Sequence, residues 1–164
     1  MSSRRIPPGP GQESVWDYPR PPALVDSPKS IQIIFNGQVI AASHQTKRVL
    51  ETSHPPSYYI PPTDIAMDFL TDAPGTSFCE WKGHAHYYTL RVGDQVAERA
   101  AWYYPTPTEG FQAIAQYVAF YPSAMEACYV DGELVQAQAG GFYGGWVTAD
   151  IVGPFKGAAG TWGW

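Results

Sequence analysis

Ile31-Gln32-Ile33-Ile34-Phe35-Asn36-Gly37-Gln38-Val39-Ile40-Ala41-Ala42 decides the fold class. Asn-Gly suits a two-residue type I′ turn, in which both central positions need positive φ. The arms on either side are rich in β-branched and aliphatic residues, so the stretch predicts a hairpin. Working outward, residues 46–51 read as a third strand. In residues 85–92, Tyr88, Leu90 and Val92 share one face and Tyr87, Thr89 and Arg91 the other, the period of a half-buried strand. Gly93-Asp94 turns the chain and residues 95–102 return it. Asp131-Gly132 marks a second hairpin within residues 127–135.

One helix is signalled. Thr106 stands at the N-cap, Pro107 at N1 and Glu109 at N3, which makes a capping box. Phe111, Ile114, Ala115 and Val118 then recur at helical spacing. The helix is expected from about Pro107 to before Tyr121-Pro122, although Tyr117-Val118-Ala119-Phe120-Tyr121 suits a strand equally. Thr63-Asp64 is able to cap a second short helical stretch through Ile65 and Phe69. The expected fold is therefore mainly β: a small closed barrel or a strongly bent antiparallel sheet, with one short capped helix. Residues 1–30 form a Pro-rich N-terminal arm with a disordered tip, and Val15-Trp16-Asp17-Tyr18 packs onto the rest. Residues 31–164 form a single mostly-β domain, closed by a Gly- and aromatic-rich C-terminal strap from Gly140.

Composition narrows the function classes. The net charge of −5 argues against general nucleic-acid binding, which needs Lys and Arg to displace counterions from phosphates. No run of about 18 apolar residues crosses a membrane, and the Arg4-Arg5-Ile6-Pro7-Pro8 start lacks the apolar stretch of a signal peptide. The expected location is cytoplasmic. Cys79 and Cys128 have no zinc spacing and are expected as thiols. Charged residues make up 15% against a usual ~25%, so a charge set among aromatics calls for a reason.

Cys79-Glu80-Trp81-Lys82-Gly83, Tyr87-Tyr88, Ala100-Ala101-Trp102-Tyr103-Tyr104-Pro105 and Tyr117-Val118-Ala119-Phe120 together resemble a family of unknown function labelled nucleotidyltransferase-like, family 9. The hairpin at Asn36-Gly37 and the loop before Ile60-Pro61 fit its N-terminal half, and segments at 14–19, 51–56 and 141–146 resemble its longer members. Glu80 stands where the family more often has proline. The resemblance implies a small, mostly β fold without an agreed activity. The transferase label has no motif behind it here. There is no Gly-Ser turn followed by paired acids for two metals, no GxxxxGK[ST] and no GxGxxG.

Several constellations carry chemistry, each beside a plainer role. Lys82 beside Trp81 suits an anion anchor with a stacking wall, or a lysine stem laid over aromatics. Cys79 fits a buried thiol better than a nucleophile. Arg48, Glu51, Ser53 and His54 precede a Pro-rich loop: Arg48 would meet an anion and His54 or Glu51 would move a proton, unless the group only satisfies turn backbone. His84 and His86 share a strand face and would suit a metal only with a third ligand such as Glu80 or Glu98; a solvent-facing pair is the expectation, and no metal is assigned. Tyr58, Tyr59, Tyr87, Trp102, Tyr104, Tyr121, Tyr143 and Trp146 are able to line a pocket or simply fill a core. Gly140-Gly141 and Gly144-Gly145 would let backbone approach a ligand, and Lys156 is a second anion contact.

The first functional expectation is a binding module for a small aromatic or phosphorylated ligand such as a nucleotide. Its binding residues would be Arg48, Ser53, Tyr59, Trp81, Lys82, Tyr87, Trp102 and Tyr143. The second is an enzyme acting on such a ligand through His54 or Glu51. The third is a structural or assembly protein, a homodimer joined through residues 140–164. No cofactor is assigned.

Overall fold

The computed structural model describes residues 5–140, 142–161 and 163–164. The first residues of the tip expected to be disordered, and Gly141 among the glycines expected to admit a ligand, lie outside them. The strands are β1 (Glu13–Ser14), β2 (Ala23–Ser27), β3 (Ile31–Phe35), β4 (Gln38–Ser43), β5 (Thr46–Leu50), β6 (Ser57–Tyr59), β7 (Leu70–Cys79) and β8 (Gly83–Val92). They continue as β9 (Gln95–Tyr103), β10 (Val118–Phe120), β11 (Ala127–Val130), β12 (Glu133–Leu134), β13 (Gln136–Ala137), β14 (Trp146–Val147) and β15 (Ile151–Val152). The helical content of the described residues is a set of single 3₁₀ turns, and none is long and apolar enough to cross a membrane.

The Asn36-Gly37 hairpin forms with Phe35 opposite Gln38, and both turn residues have positive φ, 47° and 74°. Asp131-Gly132 does the same for β11 and β12. These hairpins build one four-stranded sheet in the order β12-β11-β3-β4. A second has the order β10-β9-β8-β7 and a third β2-β5-β6. Reciprocal 2.9 Å hydrogen bonds between Ile60 and Val118 tie the end of β6 to β10.

The strands divide among several sheets and none closes into a barrel, which corrects that expectation. The outer strand β7 shows why. Pro74 and Gly75 sit where its register against β8 shifts, between Ala73 and Thr76. Proline has no N–H to give a further strand, so it belongs on an edge.

The capped helix is also corrected. Only Gln112–Ile114 turn, as 3₁₀, and Val118–Phe120 join the sheet as β10. Thr106 caps no helix, and within the expected first turn the Thr108 N–H donates to the Lys82 carbonyl at 3.0 Å and its hydroxyl to that of Trp81. Gln116 has a φ of 68°, which ends any helical run before β10. The helical spacing from Phe111 to Val118 was met by two different buried environments instead. Ile65 and Phe69 likewise follow or end separate 3₁₀ turns at Pro62–Asp64 and Met67–Phe69.

Strand alternation sorts side chains into two apolar clusters on opposite faces of the central sheet, β10-β9-β8-β7 with β6 joined to it through Ile60. Tyr58, Ile60, Leu90, Val92, Ala101, Tyr103, Val118 and Phe120 join Ile31, Ile33 and Trp146 in the larger. Residues of the opposite parity, Tyr59, Ala85, Tyr87, Trp102, Tyr104 and Ala119, join Val49, Phe111 and Ile114 in the smaller. The face of β8 carrying Tyr87 is thus covered as well as the one carrying Leu90. Trp146 pins residues 142–147 to this framework: it is 1% exposed, its indole N–H donates to the Phe120 carbonyl and its backbone N–H to that of Pro56. Trp146→Ala should cost about 3–5 kcal/mol in urea denaturation; a loss below about 1 kcal/mol would contradict this packing.

Candidate functional site

The smaller cluster does not fill its side of the sheet. A cavity of about 300 Å³ remains, walled by Tyr59, Tyr87, Trp102, Tyr104, Tyr121 and Tyr143. Glu51, His54, Cys79, Lys82, Gln138 and Lys156 bring the polar chemistry.

Lys82 lies in the tight link between β7 and β8, closed by the Cys79–Gly83 pair. Gly83 has a φ of 107°, a conformation that side chains strain to adopt. The two hydrogen bonds from Thr108 clamp the carbonyls of Trp81 and Lys82, so the link is held from outside while the Lys82 side chain lines the cavity. Its ammonium lies 5.7 Å from the centre of the Tyr104 ring. Among the described residues no Asp or Glu carboxylate comes within 4.0 Å of it. Burial disfavours the charge, but Tyr59, Cys79 and Glu51 oppose that, and the balance raises the Lys82 pKa, keeping it an ammonium.

Lys156 reaches the same cavity from the C-terminal segment. Its backbone N–H donates to the Ser53 carbonyl at 2.8 Å, its ammonium to the Trp164 carbonyl at 3.2 Å, and the ammonium lies 5.9 Å from the Tyr143 ring centre. Ser53 is fully buried with a φ of 72°. Its backbone works in both directions, since its N–H also donates to the Val15 carbonyl.

His54 meets the Tyr143 ring edge-on and has Gln138 Nε2 3.2 Å from its Nδ1. Glu51 Oε2 is 3.8 Å from its Nε2, too far for a hydrogen bond. Burial lowers the His54 pKa from 6.5 to about 4; Glu51 opposes this, while Lys156, Arg20 and Lys82 reinforce it. Glu51 also accepts from Arg20 Nε at 3.3 Å. Among the tyrosines, burial raises the pKa of both Tyr59 and Tyr104, and Tyr59 accepts from the Trp102 indole at 3.0 Å.

Of the residues singled out in the sequence, the cavity brings together Glu51, His54, Tyr59, Lys82, Tyr87, Trp102 and Tyr143. Arg48, Ser53 and Trp81 are not in its lining. Arg48 is on β5 next to Val49; Val49 faces the cavity, and Arg48 pairs with Glu13 at 3.2 Å. Trp81 packs beside the smaller cluster and supplies its carbonyl to Thr108. His84 packs on Phe78 and His86 on Tyr103, and no group of three His, Cys, Asp or Glu among the described residues is arranged for a metal. Gly144 and Gly145 do permit a close approach, but to protein: a Cβ on Gly144 would fall 2.3 Å from Trp102, and one on Gly145 2.6 Å from Gln138. Gln138 was not legible, because Val135-Gln136-Ala137-Gln138-Ala139 has no local signature of chemistry.

Fold and site together define a mainly-β protein with an aromatic-walled cavity on one face of its central sheet. The chain belongs to the family described as domain of unknown function DUF427, labelled NTP transferase 9, which matches residues 23–131, about two thirds of its length. No curated protein matches it. The matched span contains Glu51, His54, Tyr59, Lys82, Tyr87, Trp102 and Tyr104, whereas Gln138, Tyr143 and Lys156 lie beyond it.

The unfolded chain protonates His54 as pH falls through 6.5, and the folded chain resists until about 4. The unfolded state therefore binds more protons in that window, and stability falls with pH across it, by up to roughly 3 kcal/mol. Urea denaturation from pH 7 to pH 4 should show a shallower decline in His54→Gln than in the wild type. Identical pH dependence in the two would contradict the buried, neutral imidazole.

Proposed function

We propose that the cavity binds a small planar anion, a flat ring bearing a phosphate or carboxylate, with a nucleotide as one member of the class. The observation that supports this most is the Lys82 ammonium, which faces an aromatic-walled space with no acidic side chain within 4.0 Å among the described residues. A desolvated, unneutralised cation gains strongly from an anion brought to it.

An aromatic cage ordinarily favours a cationic ligand. Here the protein supplies the cations itself. Arg99 lies 3.9 Å from the centre of the Tyr87 ring, Lys82 is near Tyr104, and Lys156 is near Tyr143. A second positive charge would meet repulsion near Tyr87, Tyr104 and Tyr143, whereas a flat anion has rings for its face and the Lys82 and Lys156 ammoniums for its charge. The volume lies at the small end of the ~300–1,000 Å³ usual for small-molecule sites, which favours one ring system with one anionic group.

A thermal-shift series with nucleoside monophosphates, aryl phosphates and aryl carboxylates tests the reading. A ligand at 100 times its Kd should add about 2.7 kcal/mol of apparent stability. Lys82→Met, which keeps the length and removes the charge, should abolish the shift. Absence of any shift across the series, or an equal shift in Lys82→Met, would refute it.

A further inference from the structure

Gln138 is buried, 5% exposed, and its amide has neighbours that leave one orientation. The Gly145 N–H donates to one end at 3.1 Å, so that end is the carbonyl Oε1. The Lys156 carbonyl lies 2.7 Å from the other end, so that end is the NH₂. Rotating the amide by half a turn would set donor against donor and acceptor against acceptor. The NH₂ group has two hydrogens. One goes to Lys156, and His54 Nδ1, at 3.2 Å, takes the other. A ring nitrogen that accepts carries no proton, so the proton of the neutral imidazole is on Nε2.

We infer that Gln138 is a positioning residue that holds His54 as its Nε2–H tautomer, giving the cavity a fixed neutral donor and selecting ligands with an acceptor oxygen beside the bound anion. The tautomer follows from the hydrogen-bond network alone; only the ligand preference rests on the reading proposed above. Among the described residues the Nε2–H has no acceptor at hydrogen-bond distance, since Glu51 Oε2 stands at 3.8 Å. A ligand acceptor oxygen reaching the Nε2–H from the cavity would complete it. His54 in this state polarises an oxygen and does not remove a proton; the proton acceptor of the pair is Glu51.

The charged and titratable groups around the ring agree. Burial, Lys156, Arg20 and Lys82 oppose a positive imidazole, and Glu51 favours one. A protonated ring would also turn Nδ1–H against the Gln138 NH₂, a donor facing a donor. The tautomer should therefore persist through the neutral range and give way only with acid.

Long-range ¹H–¹⁵N spectra of the full chain labelled at histidine test this, with His54 assigned by its loss in His54→Gln. The wild type should show a pyrrole-type Nε2 and a pyridine-type Nδ1 from pH 8 to about pH 5. Gln138→Glu offers Nδ1 an acceptor, so it should reverse the two nitrogens and raise the pH at which the ring protonates. Gln138→Met, with neither donor nor acceptor, should release the ring to a mixture of tautomers. Both variants should weaken phenyl phosphate at least about 10-fold, roughly 1.4 kcal/mol. A wild-type ring protonated on Nδ1, or an unchanged tautomer in Gln138→Glu, would overturn the assignment. A purely structural Gln138 would lower the Tm of both variants and leave the tautomer alone. The expected tautomer without phenyl phosphate binding to the wild type would overturn the ligand preference and leave the tautomer standing.

Discussion

The alternation of side chains along β6, β8, β9 and β10 is the constraint on which the rest of this structure depends. Successive residues point to opposite faces, and here both faces are apolar. Tyr58 and Ile60 enter one cluster while Tyr59 enters the other; Ala101 and Tyr103 enter one while Trp102 and Tyr104 enter the other. A one-residue slip would exchange the two sets. The reciprocal Ile60–Val118 hydrogen bonds bring β6 and β10 together, and Trp146 closes the larger cluster from the C-terminal side. The smaller cluster is built from large flat rings over a limited area. Rings that meet edge-on and tilted, as Tyr59, Trp102, Tyr104 and Tyr121 do, leave space between them. Lysines placed at the rim of that space become its chemistry.

The hairpins were legible in the sequence because turn chemistry is local. Asn36-Gly37 and Asp131-Gly132 need only their own φ angles to be favourable, and the strands beside them follow. The helix at Thr106–Glu109 was a false signal for the opposite reason. Its cap and spacing were correct for an isolated segment, but Thr108 is bound to the Trp81–Lys82 link, and Val118 and Phe120 find partners in β9. β7 was not recognised, since Asp72, Pro74 and Gly75 are poor strand formers; an edge position with a register shift tolerates them. Much of the cavity lining was recognised as residue types. The location of Arg48 was not, because a one-residue step along β5 separates it from Val49 and the cavity, and its partner Glu13 is far away in the chain.

The family match stops at Asp131, and the cavity does not. Residues 23–131 contribute Lys82, the His54–Glu51 pair and most of the rings. The segment after them contributes Gln138, which orients His54, Tyr143, which covers it, and Lys156, the second ammonium. That segment is fitted closely, since Gly144 and Gly145 leave no room even for a methyl group against Trp102 and Gln138. The cavity therefore draws its lining both from the matched span and from the segment that follows it.

Cations of the protein's own lie near three of the cavity's rings, and on the proposed reading the cavity takes an anion. Titration calorimetry with two probes that share one ring and differ in charge, phenyl phosphate and phenyltrimethylammonium, tests it most directly. Heat of binding is expected for the phosphate, weakening with added salt, and none for the ammonium. Binding of the ammonium with the phosphate inert would contradict it.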